Sequence, residues 1–166
     1  MTIGTGSLLR RGSPLASAAE QVRRLESTTA IPPFTTRIKD AGLPELTATG
    51  IQVMQINVGK QCNQSCAHCH VDAGPDRLEQ MTRETVDLCL SVLAWTDIPT
   101  VDITGGAPEL NPEFRRLVVD ARKLGRRVMD RCNLTVLGQR GQEDLAAFLA
   151  EQRVEIVASL PYYQER

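Results

Sequence analysis

Aromatic residues are scarce in this sequence: Phe, Tyr and Trp together make up 4% of 166 residues. A core therefore has to be built from Val, Ile, Leu and Ala, which suits layered strands and helices. The 42% hydrophobic content is enough for one ordinary domain. Basic charge is not in surplus either. The formal net charge is -1, and Arg10-Arg11, Arg23-Arg24 and Arg126-Arg127 are isolated pairs that read as solvated surface. Nothing in this balance calls for a nucleic-acid partner. No apolar run approaches the roughly 20 residues a membrane span requires, and no apolar segment follows Arg10 and Arg11 as a signal peptide would demand. The expectation is a soluble, cytoplasmic chain with no membrane partner.

A disulfide framework is also missing. Cys62, Cys66, Cys69, Cys89 and Cys132 make an odd set, and the first three crowd into eight residues. That pattern fits a metal site in a reducing compartment better than stapling bridges.

What is present is an alternating pattern of strands and helices. Residues 1–48 are rich in Gly, Ser, Thr, Ala and Pro and read as an N-terminal leader, partly irregular, with a helical possibility between Pro14 and Leu25. From Ile51 the pattern changes. Ile51, Val53, Met54, Ile56 and Val58, closed by Gly59, read as a buried strand. Thr82 caps a helix to about residue 95, with Val86, Cys89, Leu90 and Leu93 on one stripe. A second strand spans Thr100 to Thr104. Asn111-Pro112-Glu113 then predicts a helix start, and Phe114, Leu117, Val118, Ala121 and Leu124 its inner face, with Gly125 as a left-handed cap. Val128 to Cys132 reads as a third strand, Gly141 to about Gln152 as a third helix carrying Leu145, Phe148 and Leu149 inward, and Val154 to Leu160 as a fourth strand. This is an α/β pattern. Consecutive right-handed crossovers place the strands in a parallel sheet, doubly wound or forming the arc of a barrel, with the ligand site at the strands' carboxyl ends.

The first strand ends in CNQSCAHCH. Three thiolates leave one iron of a four-iron cube without a protein ligand, whereas a closed electron-transfer cluster uses four. The competing reading is a zinc site of Cys3His type completed by His68 or His70, whose spacing is unlike that of fingers and ribbons. The other strand ends carry Gly105-Gly106-Ala107-Pro108, then Arg131-Cys132-Asn133, then Ser159. Small polar residues there are compatible with ordinary turns as well as with ligand contacts. Cys89 reads as core. Cys132 reads as core or as a rim thiol facing a thiophilic substrate. His70, Asp72, Asp102 and Asp130 lie near the site by position, and loop solvation or local capping would explain them equally well.

The C-x3-C-x2-C loop and the glycine turn resemble those of the radical SAM (S-adenosylmethionine) superfamily over about residues 51–160. More narrowly, CNQSCAHCHVDAGP, DITGGAPELNPEF, DRCNLTVL and VEIVASLPYY are similar to the arsenosugar biosynthesis radical SAM protein family. The resemblance implies a partial TIM-like barrel of about four strands over residues 49–166. It implies a 4Fe-4S cluster on Cys62, Cys66 and Cys69, with SAM chelated at the open iron. Gly105, Gly106 and Pro108 would lie at the methionyl end, Asn133 and Ser159 near ribose or carboxylate, and His68 near adenine.

The resemblance further implies reductive cleavage of SAM to a 5′-deoxyadenosyl radical and transfer of that group to a dimethylated trivalent arsenical. An electron donor such as flavodoxin or ferredoxin would serve as partner. No side chain is assigned a catalytic role, because the hard chemistry belongs to the cofactors. A non-catalytic zinc or iron-sulfur module is the alternative. Two departures stand out: Ala107 replaces the acid of the GGEP pattern, with Glu109 displaced by two, and the superfamily barrel usually continues for two more strand-helix units. The core domain is therefore expected to be truncated after Arg166, and the chain to be a poor catalyst by itself.

Overall fold

A computed structural model describes residues 7–27, 31–66 and 69–158. Two short helices come first, α1 (Ala18–Glu26) and α2 (Phe34–Asp40). A 3₁₀ turn, Pro14–Ala16, precedes α1 where the sequence allowed one helix from Pro14. Neither helix buries a residue. Ahead of them the chain is pinned instead by hydrogen bonds: the Leu8 and Leu9 amides donate to the Asp72 carboxylate, the latter at 3.2 Å.

The sheet is built as the alternation predicts. Strand β1 (Val53–Asn57) leads through α3 (Arg83–Trp95) to β2 (Thr100–Thr104), through α4 (Phe114–Lys123) to β3 (Arg127–Asp130), and through α5 (Leu145–Glu151) to β4 (Glu155–Ile156). The four strands are parallel and lie in the order β1-β2-β3-β4. Side chains alternate across them. Ile56, Ile103 and Asp130 form one row in register, buried beneath the helices, whereas the neighbouring row Gln55, Asp102 and Met129 points to the other face. The helix-side core is aliphatic around one aromatic, with Phe114, Leu117, Val118, Val101, Ile103, Val128 and Leu145 wholly buried. Each large side chain there contributes on the order of 1.5–3 kcal/mol of burial.

Local chemistry sets the boundaries. The Thr82 hydroxyl accepts from the Thr85 amide at 3.4 Å and starts α3 where the sequence places its cap. Val86 and Leu93 are buried as predicted, while Cys89 and Leu90 are half-buried against the core. Gly125, at φ 75°, ends α4, and the Arg126 amide reaches back to the Ala121 carbonyl at 3.1 Å.

Several details differ from expectation. Asn111 caps a turn rather than the helix itself, because its amide donates to the Val58 and Met81 carbonyls (2.8 and 3.1 Å) while its oxygen accepts from Glu113 (2.8 Å), so α4 begins only at Phe114. Leu124 stays 36% exposed at the end of the helix. Strand β3 runs one residue earlier and ends two residues sooner than predicted. Helix α5 begins at Leu145 rather than Gly141, since Gln142 and Leu145 each donate back three residues in successive turns. Arg126 is not a solvated charge: its guanidinium donates to the Leu93 and Thr96 carbonyls at 2.8 and 2.6 Å. Leu160, predicted to end β4, lies outside the described residues.

Candidate functional site: a thiol loop at the strand ends

The chain leaves β1 through Val58 and Gly59 and lays residues 59–62 against the turn that follows β2. The Gly106 amide donates to the Gly59 carbonyl (3.0 Å) and the Ala107 amide to Gln61 (2.8 Å). This approach is possible only without side chains. A Cβ on Gly106 would stand 2.3 Å from the Gln61 carbonyl oxygen, and one on Gly105, at φ +153°, 2.8 Å from that of Gly59. The glycine pair thus seats the cysteine loop directly on the carboxyl end of β2. Pro108 is buried at the head of a 3₁₀ turn, Pro108–Leu110, and fixes the exit of that segment.

On its far side the loop is anchored by a buried ion pair. Arg77 (side chain 3% exposed) meets Asp72 (7%), and also Glu79. Asp72 adopts φ 55°, a left-handed conformation in which its carboxylate receives both Arg77 and the Leu8 and Leu9 amides. Loop solvation therefore does not describe Asp72.

The thiols themselves are held by donors. The Gln64 amide points at Cys62 Sγ (3.4 Å) and the Ala73 amide at Cys69 Sγ (3.2 Å). Asn133, just past β3, donates its amide to Cys62 Sγ (3.5 Å) and to Asn63 (2.8 Å), while its oxygen accepts from the Thr135 hydroxyl (3.0 Å) and the Val136 amide (3.1 Å). All of its hydrogen-bonding capacity is used within the protein. Burial pushes the Cys62 thiol up, opposed by the Gln64 and Asn133 hydrogen bonds, and also pushes up Cys66. Loss of these protons belongs to metal binding, which needs the thiolate.

The three loop thiols stand farther apart than a tetrahedral zinc ion would hold them. Tetrahedral zinc with sulfur bonds of about 2.3 Å needs its sulfurs roughly 3.8 Å apart. Among the described residues, the set with all ligand atoms within 4.8 Å of one another is Glu109, Asp130 and Cys132; the three loop thiols stand wider.

Where they are described, Cys62, Cys66, Cys69, Gly105, Gly106 and Asn133 lie on one rim of the sheet. His68 and Ser159 lie outside the described residues. Asp102 and Asp130, for which a place near the site and loop solvation or capping were equally open, are both buried. Asp102 accepts from Gln55 and Arg131, each at 2.8 Å, and the Arg131 guanidinium holds its carboxyl below the usual range against the effect of burial. Asp130 belongs to the other face. Burial and the Glu109 carboxylate push it up to about 9, and burial with the same carboxylate pushes Cys132 up to about 12. Sequence reasoning missed this group, although the alternation Val128, Asp130, Cys132 places an acid at an inward strand position.

A parallel strand-helix arc with three thiols in the first strand's exit loop and a glycine turn after the second defines a class of metal-dependent α/β proteins. The profile of the Radical SAM superfamily matches residues 56–160, well over half of the chain, and the chain belongs to that superfamily. It is also 30% identical over 65 residues to a probable GTP 3′,8-cyclase of Pyrococcus horikoshii. The aligned stretch is 39% of this chain and 21% of that relative, so the chain spans only a small part of the relative's length.

Proposed function

We propose that this chain carries the cofactor-binding part of a radical SAM enzyme, in which Cys62, Cys66 and Cys69 hold a 4Fe-4S cluster. The reading rests above all on the three thiols sharing one rim with the Gly105-Gly106 turn and Asn133, each contributed by a different strand end. When bound, the cluster and SAM supply reductive cleavage to methionine and a 5′-deoxyadenosyl radical. The protein's part is to bind and aim. Gly105 and Gly106 offer backbone to the methionyl end, with the Gly106 amide already engaged by the Gly59 carbonyl. Asn133 steadies Cys62, and a ribose contact would require it to exchange one of its present partners. Pro108 shapes the turn, and His68 and Ser159 complete the adenosine side.

The finer reading is addition of the 5′-deoxyadenosyl group to a dimethylated trivalent arsenical, with a flavodoxin or ferredoxin as electron donor. It is supported by the four segments that resemble the arsenosugar family. The test is anaerobic reconstitution followed by iron and sulfide analysis, then SAM with a strong reductant. The expected outcome is about four irons per chain and 5′-deoxyadenosine formation. A colourless zinc protein would overturn the cluster. Dimethylarsinous acid and GTP are then offered in parallel; an adenosyl-arsenic product supports the finer reading, and consumption of GTP alone refutes it.

A further inference from the structure

A second group of metal-ligand side chains, which includes none of the loop thiols, lies on the helix side of the sheet. Glu109 (4% exposed) comes from the 3₁₀ turn after β2, Asp130 (0%) from the last position of β3, and Cys132 (1%) from two residues beyond. Their ligand atoms all lie within 4.8 Å of one another. Asp130 stands in register with Ile103 and Ile156, in a row that otherwise carries aliphatic side chains. Nothing about the packing asks for an acid there.

The carboxylates are also without partners. Among the described residues, both oxygens of Glu109 and both of Asp130 are buried and accept no hydrogen bond from outside the three-residue group, and no Lys, Arg or His pairs with either. A buried carboxylate in that condition costs several kcal/mol unless a hydrogen bond, a cation or a proton offsets it. Among the described residues, nothing outside the group supplies the first, and no protein cation supplies the second.

We propose that Glu109, Asp130 and Cys132 form a binding site for a borderline divalent cation of the zinc class. Two carboxylate oxygens would neutralise the dication, and the thiolate selects zinc-like ions over magnesium or calcium. Three protein ligands leave a fourth position for water or another small ligand. Tetrahedral donors around such an ion are separated by roughly 3.3–3.8 Å, so the present spacing needs only a small side-chain closure. The backbone around the donors is already held: Val157 donates to the Asp130 carbonyl (2.8 Å), Gln142 to that of Glu109 (3.4 Å), and the Leu134 amide to Cys132 Sγ (3.3 Å). Access exists on the thiol side, where a cavity of about 280 Å³ bounded by Leu134, Leu137, Leu149, Val154 and Ile156 reaches Cys132. The site is independent of the reading of the cysteine loop.

The competing state is a shared proton between the two carboxyls, and the experiment separates them. The loop thiols are first removed as Cys62→Ser, Cys66→Ser and Cys69→Ser in one chain, so that they cannot capture the probe, and folding is checked by circular dichroism. Titration with Co²⁺ should give one equivalent bound, with thiolate-to-cobalt charge-transfer absorption. That absorption should vanish on adding Cys132→Ser, and affinity should fall at least about tenfold with Glu109→Gln or Asp130→Asn. If the triple variant does not fold, elemental analysis of the cluster-loaded protein decides instead: one zinc beyond the iron, lost in Cys132→Ser and kept in Cys89→Ser, supports the site. Absence of thiolate-cobalt absorption in the folded variant, or of zinc in the loaded protein, overturns it. A protonated carboxyl stretch in the infrared that disappears in Asp130→Asn would then assign the pair to a proton.

Discussion

The two thiol-bearing sites are built in opposite ways. The loop of Cys62, Cys66 and Cys69 is local in sequence, sits at the rim, and depends for its shape on distant anchors: a glycine turn, an asparagine and a buried ion pair. The site of Glu109, Asp130 and Cys132 is assembled from separate strand exits and lies in the core beneath the helices. Of its three residues only Asp130 lies within a strand, and the segments that follow β2 and β3 bring the other two to it. The comparison teaches that donor spacing along the chain finds a site of the first kind, whereas burial without partners finds one of the second.

The sharpest break between them is metal content. Cys62→Ala, Cys66→Ala and Cys69→Ala should each abolish the cluster and SAM cleavage, while Cys132→Ser should leave iron and sulfide near wild type. A full cluster in any of the three loop variants would dissolve the distinction.

Arg77→Ala comes next in size. It strips the buried Asp72 of its counter-charge, and breaking such a pair costs about 3–5 kcal/mol. The cysteine loop should lose order and cluster retention with it, read by denaturant unfolding and iron analysis. Gly106→Ala should act on the same loop without touching charge. Its Cβ meets backbone, not a flexible side chain, and forcing the two segments apart is expected to cost about 1–3 kcal/mol and to lower iron retention.

The buried site can be probed by pH. Burial and the neighbouring Glu109 carboxylate raise the folded-state pKa of Asp130 well above its ordinary 3.8. The folded state therefore holds a proton that the unfolded chain releases. The contribution of this group to the stability of the chelator-treated chain should accordingly be fully present below pH about 4 and be lost progressively as pH rises toward its raised folded-state pKa, with a slope approaching about 1.4 kcal/mol per pH unit. Asp130→Asn should flatten that slope, as should bound metal. Thermal unfolding across pH, with and without chelator, measures it.

The smallest effect is that of Asn133→Ala. Removing the donor to Cys62 Sγ should shift the cluster potential modestly negative, since hydrogen bonds to sulfur raise it, and should cost about 1 kcal/mol in the turn it organises. Redox titration of the variant checks the first part. An unchanged potential would mean that the contact at 3.5 Å does not tune the sulfur.

Most of the sheet was legible because its signals are local. The aliphatic run ending at Gly59, the Thr82 cap and Gly125 act through their own neighbours, and these elements appear where they were expected. Boundaries slipped where a side chain had a distant engagement: Asn111 is tied to Val58 and Met81 across the fold, so it caps a turn ahead of α4. The thiol loop was legible as three cysteines gathered at the end of one strand. The reason for its glycines was legible only as freedom to approach something, and the nearest thing they approach is the loop's own backbone.

By itself, the sequence determined the alternation of strands and helices, the parallel arrangement that follows from it, and the three thiols at the end of the first strand. These depend on spacing and on short-range preferences that a linear chain carries openly. Only the tertiary structure decided that Arg77 and Asp72 lock that loop, that Asn133 serves Cys62, and that Glu109 joins Asp130 and Cys132 in the buried core. Each of those outcomes turns on which residues the register brings face to face and on how much water remains between them, and neither is a property of any short stretch of chain.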